Sequence, residues 1–551
     1  MSTLVTDLAS RYFVRALLSL RHSAVTNVRF FRSQSSIEAL PPSGEILSLP
    51  PFLRAPLPLS FYTGIVMSTG SEEIIESGRG IVFPGLSSRF YAWLLRRMPT
   101  ERQRTLAVTI LAGGLCGLAA VAFHLSIMGL EALMINRANA APGHSWIWWT
   151  VLSPALGGLV AGVGLTYFVP AAAGSGIPQV KVAYTLRAGY VTVRETIGKF
   201  VLCALQIGSG ASLGLEGPTV QVCAGVSSML ARAARLSPKN TRRMASVGMA
   251  AGIAAAFNAP IAAVTFTLEE LIGDLDQTML SGVIVAAALS AVVEHSILGS
   301  NPVFHVNAFY TLGKASSLIW YALLGLLAAI VSVAFTDSLL YVRAWFRRLQ
   351  GVPRWVQPAM GGAATGGLAV AALALFHLNG IAGDPYGTLT LALTGKMTLI
   401  PMIVFCVLKL AGTVCSYSSG GSGGIFAPAL FMGAMLGGSV GYLDVTVFHH
   451  PSDSIGAFAV VGMGAAFAGI VRAPMTSVLI IFEMTGGYGL VLPLMIANMS
   501  AFALARHWRR VSVYDALLAQ DGIFLEHGNL PPGPPDEEEQ PGAAAPAGAG
   551  A

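Results

Sequence analysis

Charge is what this sequence has least of. Only 11% of its 551 residues are Asp, Glu, Lys or Arg, against roughly 25% in a soluble domain. A chain so poor in charge cannot keep a globular surface wetted, which excludes an ordinary soluble enzyme or binding module. Cysteine is nearly absent too. Cys116, Cys203, Cys223, Cys406 and Cys415 all lie in apolar stretches without metal-ligand spacing. That excludes a disulfide framework and a metal site, and leaves buried reduced thiols as the reading. The net charge of +6 does not point to nucleic acid, because the basic residues are not spread over a binding face. They flank apolar runs, with Arg96, Arg97, Arg102 and Arg104 before the first and Arg506, Arg509 and Arg510 after the last.

What is present is apolar. Hydrophobic residues make up 54% of the chain and its mean hydropathy is +0.66. Nearly charge-free runs occupy 105–127, 148–169, 282–293, 318–335, 399–415 and 491–505. Several approach the ~20 apolar residues of a membrane span. Others are shorter and broken by Gly and Pro, which suits helices that enter the bilayer without crossing it cleanly. The expectation is an all-α polytopic membrane protein in contact with lipid. Arginines at both ends of the apolar region put both termini in the cytoplasm by the positive-inside rule.

Residues 1–66 are rich in Ser and Arg and poor in acids, as in a transit peptide or in an over-called leader upstream of Met67. Residues 67–104 read as a cytoplasmic N-terminal segment, 105–525 as the membrane domain, and 526–551 as a disordered Pro/Ala/Gly/Glu tail.

An internal repeat organises the membrane domain. Val247-Gly248-Met249, Asn258-Ala259-Pro260 and Glu269 recur, at one constant offset, as Val461-Gly462-Met463, Arg472-Ala473-Pro474 and Glu483. Upstream, Pro154-Ala155-Leu156-Gly157-Gly158 matches Pro358-Ala359-Met360-Gly361-Gly362, and Lys199 matches Lys409. The halves run about 105–300 and 317–505. Duplicated membrane domains with interrupted spans are the plan of many secondary transporters, which bind their substrate between the copies. The matches alone do not say whether the copies are parallel or inverted.

Three segments share one grammar, a Gly-rich turn, a Pro and then an apolar helix. They are Gly174-Ser175-Gly176-Ile177-Pro178, Gly214-Leu215-Glu216-Gly217-Pro218 and Gly423-Gly424-Ile425-Phe426-Ala427-Pro428. Pro suits the first helical turn, where its missing N–H would be unpaired anyway. Each segment therefore predicts a helix N-terminus within the membrane, with free N–H groups and a partial positive charge. Lipid offers those groups no partner, and an anion does. Three such ends would hold an anion without Lys or Arg.

These segments resemble, in order and spacing, the three signature segments of the CLC family of chloride channels and chloride/proton antiporters, in its prokaryotic-type form without CBS domains. The resemblance covers about residues 100–525. It implies an inverted repeat of roughly eighteen helices, some broken and re-entrant, in a homodimer whose subunits each carry an anion path. It assigns chloride binding to Ser175, Gly176, Ile177, Gly217, Ile425, Phe426 and Tyr514. Glu216 becomes the gate, occupying the anion site when ionised and swinging away when protonated. Glu270 becomes the internal proton-transfer glutamate, which favours a chloride/proton exchanger over a passive voltage- or pH-gated channel. The polar stretch that follows Glu270, from Gly273 to Asp276, leaves a solvated helix end as the other reading of that residue. Glu269 and Glu483 read as capping or pairing groups. Leu215 departs from the family, in which many members carry Arg or Lys there.

No cofactor, metal or nucleic acid is implied, and the chain after Tyr514 is too short for the cytosolic nucleotide-binding pair of some relatives. A bacterial inner membrane fits the composition. Gly420-Gly421-Ser422-Gly423-Gly424 also satisfies G-x-S-x-G, and a serine hydrolase would need a histidine base, for which His124 and His377 are the candidates.

Overall fold

The computed structural model describes residues 100–273, 277–299, 310, 317–383, 385–449 and 454–525. The N-terminal extension, most of the segment at 67–104, the polar residues 274–276 and the tail at 526–551 lie outside the described residues.

Among the described residues the chain forms eighteen α-helices. In chain order they are α1 (Glu101–Leu133), α2 (Ile135–Asn139), α3 (Ser145–Val163), α4 (Ile177–Leu186), α5 (Val193–Gly208), α6 (Glu216–Ala233), α7 (Pro238–Phe257), α8 (Pro260–Thr267) and α9 (Gln277–Leu298). The second set is α10 (Ser317–Arg348), α11 (Gln357–Phe376), α12 (Tyr386–Leu393), α13 (Leu399–Ser418), α14 (Phe426–Phe448), α15 (Ser454–Val471), α16 (Pro474–Thr485), α17 (Val491–Trp508) and α18 (Val513–Gln520). Single π-helical turns extend α3 (Gly164–Phe168) and α8 (Leu268–Ile272).

Among the described residues eight spans are long and apolar enough to cross a bilayer, and α4, α8, α12 and α16 are too short to do so. Outward-facing residues confirm the solvent. Trp148, Ile319, Tyr341 and Ile400 are each about 70% exposed or more, and the outer faces of α1, α3 and α10 are apolar along most of their length. In water such a surface would aggregate, and in lipid it is the stable one. The chain is an integral membrane protein.

The two copies are inverted, and four hydrogen bonds demonstrate it. Glu483, near the C-terminal end of α16, accepts from Ile261 N and Ala262 N at the start of α8, at 3.0 and 2.7 Å. Glu269, just past the end of α8, accepts from Met475 N and Thr476 N at the start of α16, at 3.1 and 2.9 Å. Each carboxylate caps the other helix, so α8 and α16 run antiparallel. A capping carboxylate satisfies orphan N–H groups and complements the helix dipole. The capping role expected for both glutamates is thus observed. Asn258 and Arg472, the matched residues before each helix, both take left-handed backbone conformations (φ 51° and 75°).

The α3–α11 crossing shows the same symmetry. A Cβ on Gly158 would stand 2.3 Å from the Pro358 carbonyl oxygen, and one on Gly362 would stand 2.1 Å from that of Pro154. The repeated Pro-x-x-Gly-Gly block therefore exists because the two backbones touch there, as small residues allow in membranes. All five cysteines are free, and four are buried.

Candidate functional site

The site begins with two tight backbone exchanges. Gly214 and Gly424 trade N–H and carbonyl in both directions, at 2.8 and 2.7 Å, while Gly174 N donates to Gly421 O at 2.9 Å and Gly423 N to Gly174 O at 3.1 Å. Three loops from distant parts of the chain are thereby stitched into one knot. From it depart α4, α6 and α14, each starting where its Gly-Pro segment predicts.

Close approach explains the glycines. Gly176, the N-cap of α4, has φ 103°, a conformation that disfavours side chains, and a Cβ there would stand 2.5 Å from the Gly217 carbonyl oxygen. A Cβ on Gly217 would in turn meet Ser175 O at 2.5 Å and Ser175 Oγ at 2.8 Å. Ser175 is therefore wedged against the first turn of α6. Its N–H donates to the Tyr417 hydroxyl at 3.3 Å, and the fully buried Lys199 ammonium braces the loop by donating to Ala172 O at 2.9 Å and Gly174 O at 2.6 Å.

Tyr514 reaches the knot from α18. Its ring lies edge-on to Phe426, with centroids 6.3 Å apart, and Phe426 stacks on Phe467 at 4.9 Å. Ser175, Ile177, Ile425, Phe426 and Tyr514 are all buried, Phe426 at 1% exposure and the rest fully. Among the described residues the Ser175 and Tyr514 hydroxyls have no hydrogen-bond partner beyond each other, Ser175 being the hydrogen-bonding group that acts on the phenol. An unsatisfied buried hydroxyl costs about 1–3 kcal/mol. Two at one place, beside the N-termini of three helices, suit a small anion that accepts from both.

Two carboxylates, Glu216 and Glu270, are within electrostatic reach of the phenol. Glu216 is the first residue of α6 and is fully buried. Its Oε1 accepts from Tyr386 Oη at 3.4 Å, and its Oε2 lies against Gly214, near Ala427 N at the start of α14. Glu270 lies in the π-turn after α8, where consecutive residues point in different directions around the helix axis. Glu269 turns to α16, whereas Glu270 turns inward and pairs with Lys181 Nζ at 2.8 Å. A solvated helix end is therefore the wrong reading of Glu270: the carboxylate is buried, at 8% exposure, because α4 supplies a buried ammonium for it. Leu215 packs partly buried against the core.

Ser422, the hydrolase candidate, is engaged structurally. Its hydroxyl donates to Ala172 O and lies 2.8 Å from Cys203 Sγ and 3.4 Å from Lys199 Nζ. Sequence reasoning missed Lys181, Tyr386, Tyr417 and Asp515. A Lys three residues past Pro178 in an otherwise uncharged helix was the one visible signal among them.

Inverted halves and broken helices that meet at a buried polar knot define the class as a secondary-transporter or channel membrane domain. The family follows from comparison with known proteins. A profile described as "Voltage gated chloride channel" matches residues 157–506. The H(+)/Cl(-) exchange transporter ClcA of Salmonella arizonae is 31% identical over 438 residues, covering 78% of this chain and 91% of that protein. Its counterpart from Salmonella paratyphi A is 31% identical over 437 residues, covering 77% and 91%. This chain belongs to the CLC, or voltage-gated chloride channel, family. Among solved structures, a slow cyanobacterial Cl-/H+ antiporter superposes with a TM-score of 0.69 at 25% identity, covering 76% of this chain and 98% of its own. A CLC-type fluoride/proton antiporter gives 0.61 at 20% identity over 74% and 96%, a likeness of fold.

Proposed function

We propose that this chain is a secondary active transporter that exchanges chloride for protons. One observation carries the reading. The N-termini of α4, α6 and α14 meet beside two buried hydroxyls, Ser175 and Tyr514, that have no partner beyond each other among the described residues, and the buried carboxylates Glu216 and Glu270 both act on the phenol. In this reading chloride accepts from those hydroxyls and from backbone N–H groups contributed by Ile177, Gly217, Ile425 and Phe426; the Gly176 N–H is already donated to Gln179 Oε1 at 2.9 Å, so Gly176, expected as a ligand, borders the site without donating to the anion. Partial charges hold the anion strongly enough to desolvate it and weakly enough to release it.

Glu216 lies where an anion at the α14 N-terminus would compete with it. Ionised, it occupies that position; protonated, it leaves, and chloride enters. Glu270 passes protons between Glu216 and the opposite side, so one anion path and one proton path meet at Glu216. The relatives named as H(+)/Cl(-) exchange transporters support this reading. We take 105–525 as the membrane domain, place both termini in the cytoplasm on the arginine bias, and assign a homodimer in a bacterial inner membrane.

Liposomes carrying the purified protein, an outward chloride gradient and a pH dye test the assignment. Chloride leaving down its gradient should draw protons inward. Glu216→Ala and Glu270→Val should each abolish proton movement while chloride still flows. Chloride flux without proton movement in the intact protein would make it a passive channel instead.

A further inference from the structure

Lys181 does more than neutralise Glu270. Its ammonium lies 2.8 Å from Glu270 Oε1 and 2.7 Å from Asp515 Oδ1, so one buried cation is shared by two carboxylates. The pairs join α4, which follows the Ser175 loop, to the turn after α8 and to α18, which carries Tyr514. Lys181 and Glu270 are buried, whereas the Asp515 side chain is 23% exposed. Asp515 also lines a cavity of about 570 Å³ with Ser512, Arg472, Arg506 and Arg510. The triad thus runs from an accessible cavity to a buried carboxylate beside the phenol. Among the described residues the other ionisable groups around Glu270 are Glu269, which is turned to α16, and Tyr514.

The charge count is informative. With both carboxylates ionised and Lys181 protonated, the triad carries one negative charge. A single proton on Glu270 makes it neutral, because Asp515 still pairs with Lys181. Without Asp515 the same proton would strand a buried ammonium, which is the expensive case for a buried ion pair. We propose that Lys181 and Asp515 form a charge-balancing clamp that lets Glu270 take up and release one proton, Asp515 holding Lys181 whenever Glu270 is protonated. The inference rests on the exchanger reading and adds two positioning residues to it. No bond other than O–H is made or broken: the proton arrives from water, resides on a Glu270 oxygen and leaves again.

A purely structural staple is the competing role, since Asp515 also accepts from Ser512 Oγ at 2.9 Å and so helps cap α18. The test separates the two. Wild type, Asp515→Asn and the double variant Asp515→Asn/Lys181→Met are reconstituted, and the proton-to-chloride ratio is measured for each, with monodisperse elution in detergent as the folding control. Asn keeps the shape and the acceptor oxygen of Asp515, yet the clamp requires the ratio to fall at least about tenfold. Removing Lys181 as well should raise the ratio severalfold above the single variant, because no ammonium is left to strand. A staple predicts the reverse, since the double variant loses both ties. A wild-type ratio in Asp515→Asn, or a double variant no better than the single, overturns the clamp and leaves the exchanger reading standing. Absence of proton movement in wild type overturns that reading, and the clamp with it.

Discussion

Gly217→Ala is the sharpest probe of the knot. The added methyl would stand 2.5 Å from Ser175 O and 2.8 Å from Ser175 Oγ, well inside the 3.4 Å at which ordinary contact begins. A carbonyl held by the knot cannot rotate away as a flexible side chain does, so the Ser175 loop must move off α6. Overpacking of this kind costs about 1–3 kcal/mol of stability. The functional cost is separate. Displacing a hydroxyl that donates to an anion forfeits a charge-assisted hydrogen bond of about 1.5–3 kcal/mol, which is a loss of roughly 10- to 100-fold in chloride affinity. Isothermal titration of chloride into detergent-solubilised protein measures it, with Ser175→Ala as reference. Both variants should weaken binding comparably, and their combination should add little, because the methyl acts through Ser175. Chloride affinity within about twofold of wild type in a monodisperse Gly217→Ala protein would refute the reasoning.

Three further outcomes follow from the geometry. Glu269→Ala and Glu483→Ala should each cost about 1–2 kcal/mol, read as a lower melting temperature in detergent, with Gln retaining part of the cap; loss of proton coupling at unchanged stability would contradict the capping role of either residue. Lys199→Met removes one of two donors from each of two carbonyl oxygens, Ala172 O keeping Ser422 Oγ and Gly174 O keeping Gly423 N, so it should destabilise by the two lost bonds to a charged donor, about 1.5–3 kcal/mol for each, and also weaken chloride binding, because Gly174 precedes Ser175. Lys409→Met, the matched change, frees Gly380 and Ile381 carbonyls away from the Ser175 loop and should lower the melting temperature while leaving chloride affinity in place.

How much was legible in the sequence depends on whether a feature is local. The starts of α4, α6 and α14 follow from Pro in the first turn and Gly where backbones touch, and both rules act within a few residues. The repeat was equally readable, because a match needs only order and spacing. Its inversion was legible only through the family resemblance, since nothing in a matched triplet fixes direction; the exchanged caps of Glu269 and Glu483 show it directly. Those two adjacent glutamates, 269 and 270, also show the limit within one helix turn. Their opposite destinations depend on which partner lies in each direction. Lys181 meets Asp515 across 334 residues, and Ser175 meets Tyr417 across 242. Pairings at such range leave no periodic trace in the chain, so the clamp and the brace beneath Ser175 emerge only from the fold.

The central claim is that an anion is held by three helix ends and two hydroxyls, with no positive side chain as its ligand. Anomalous scattering from crystals grown in bromide tests it most directly, because bromide replaces chloride and reports its own position. The account predicts a peak within hydrogen-bonding distance of both Ser175 Oγ and Tyr514 Oη, facing the start of α14. A peak confined to the Arg472, Arg506 and Arg510 cavity, with none between the two hydroxyls, would contradict it.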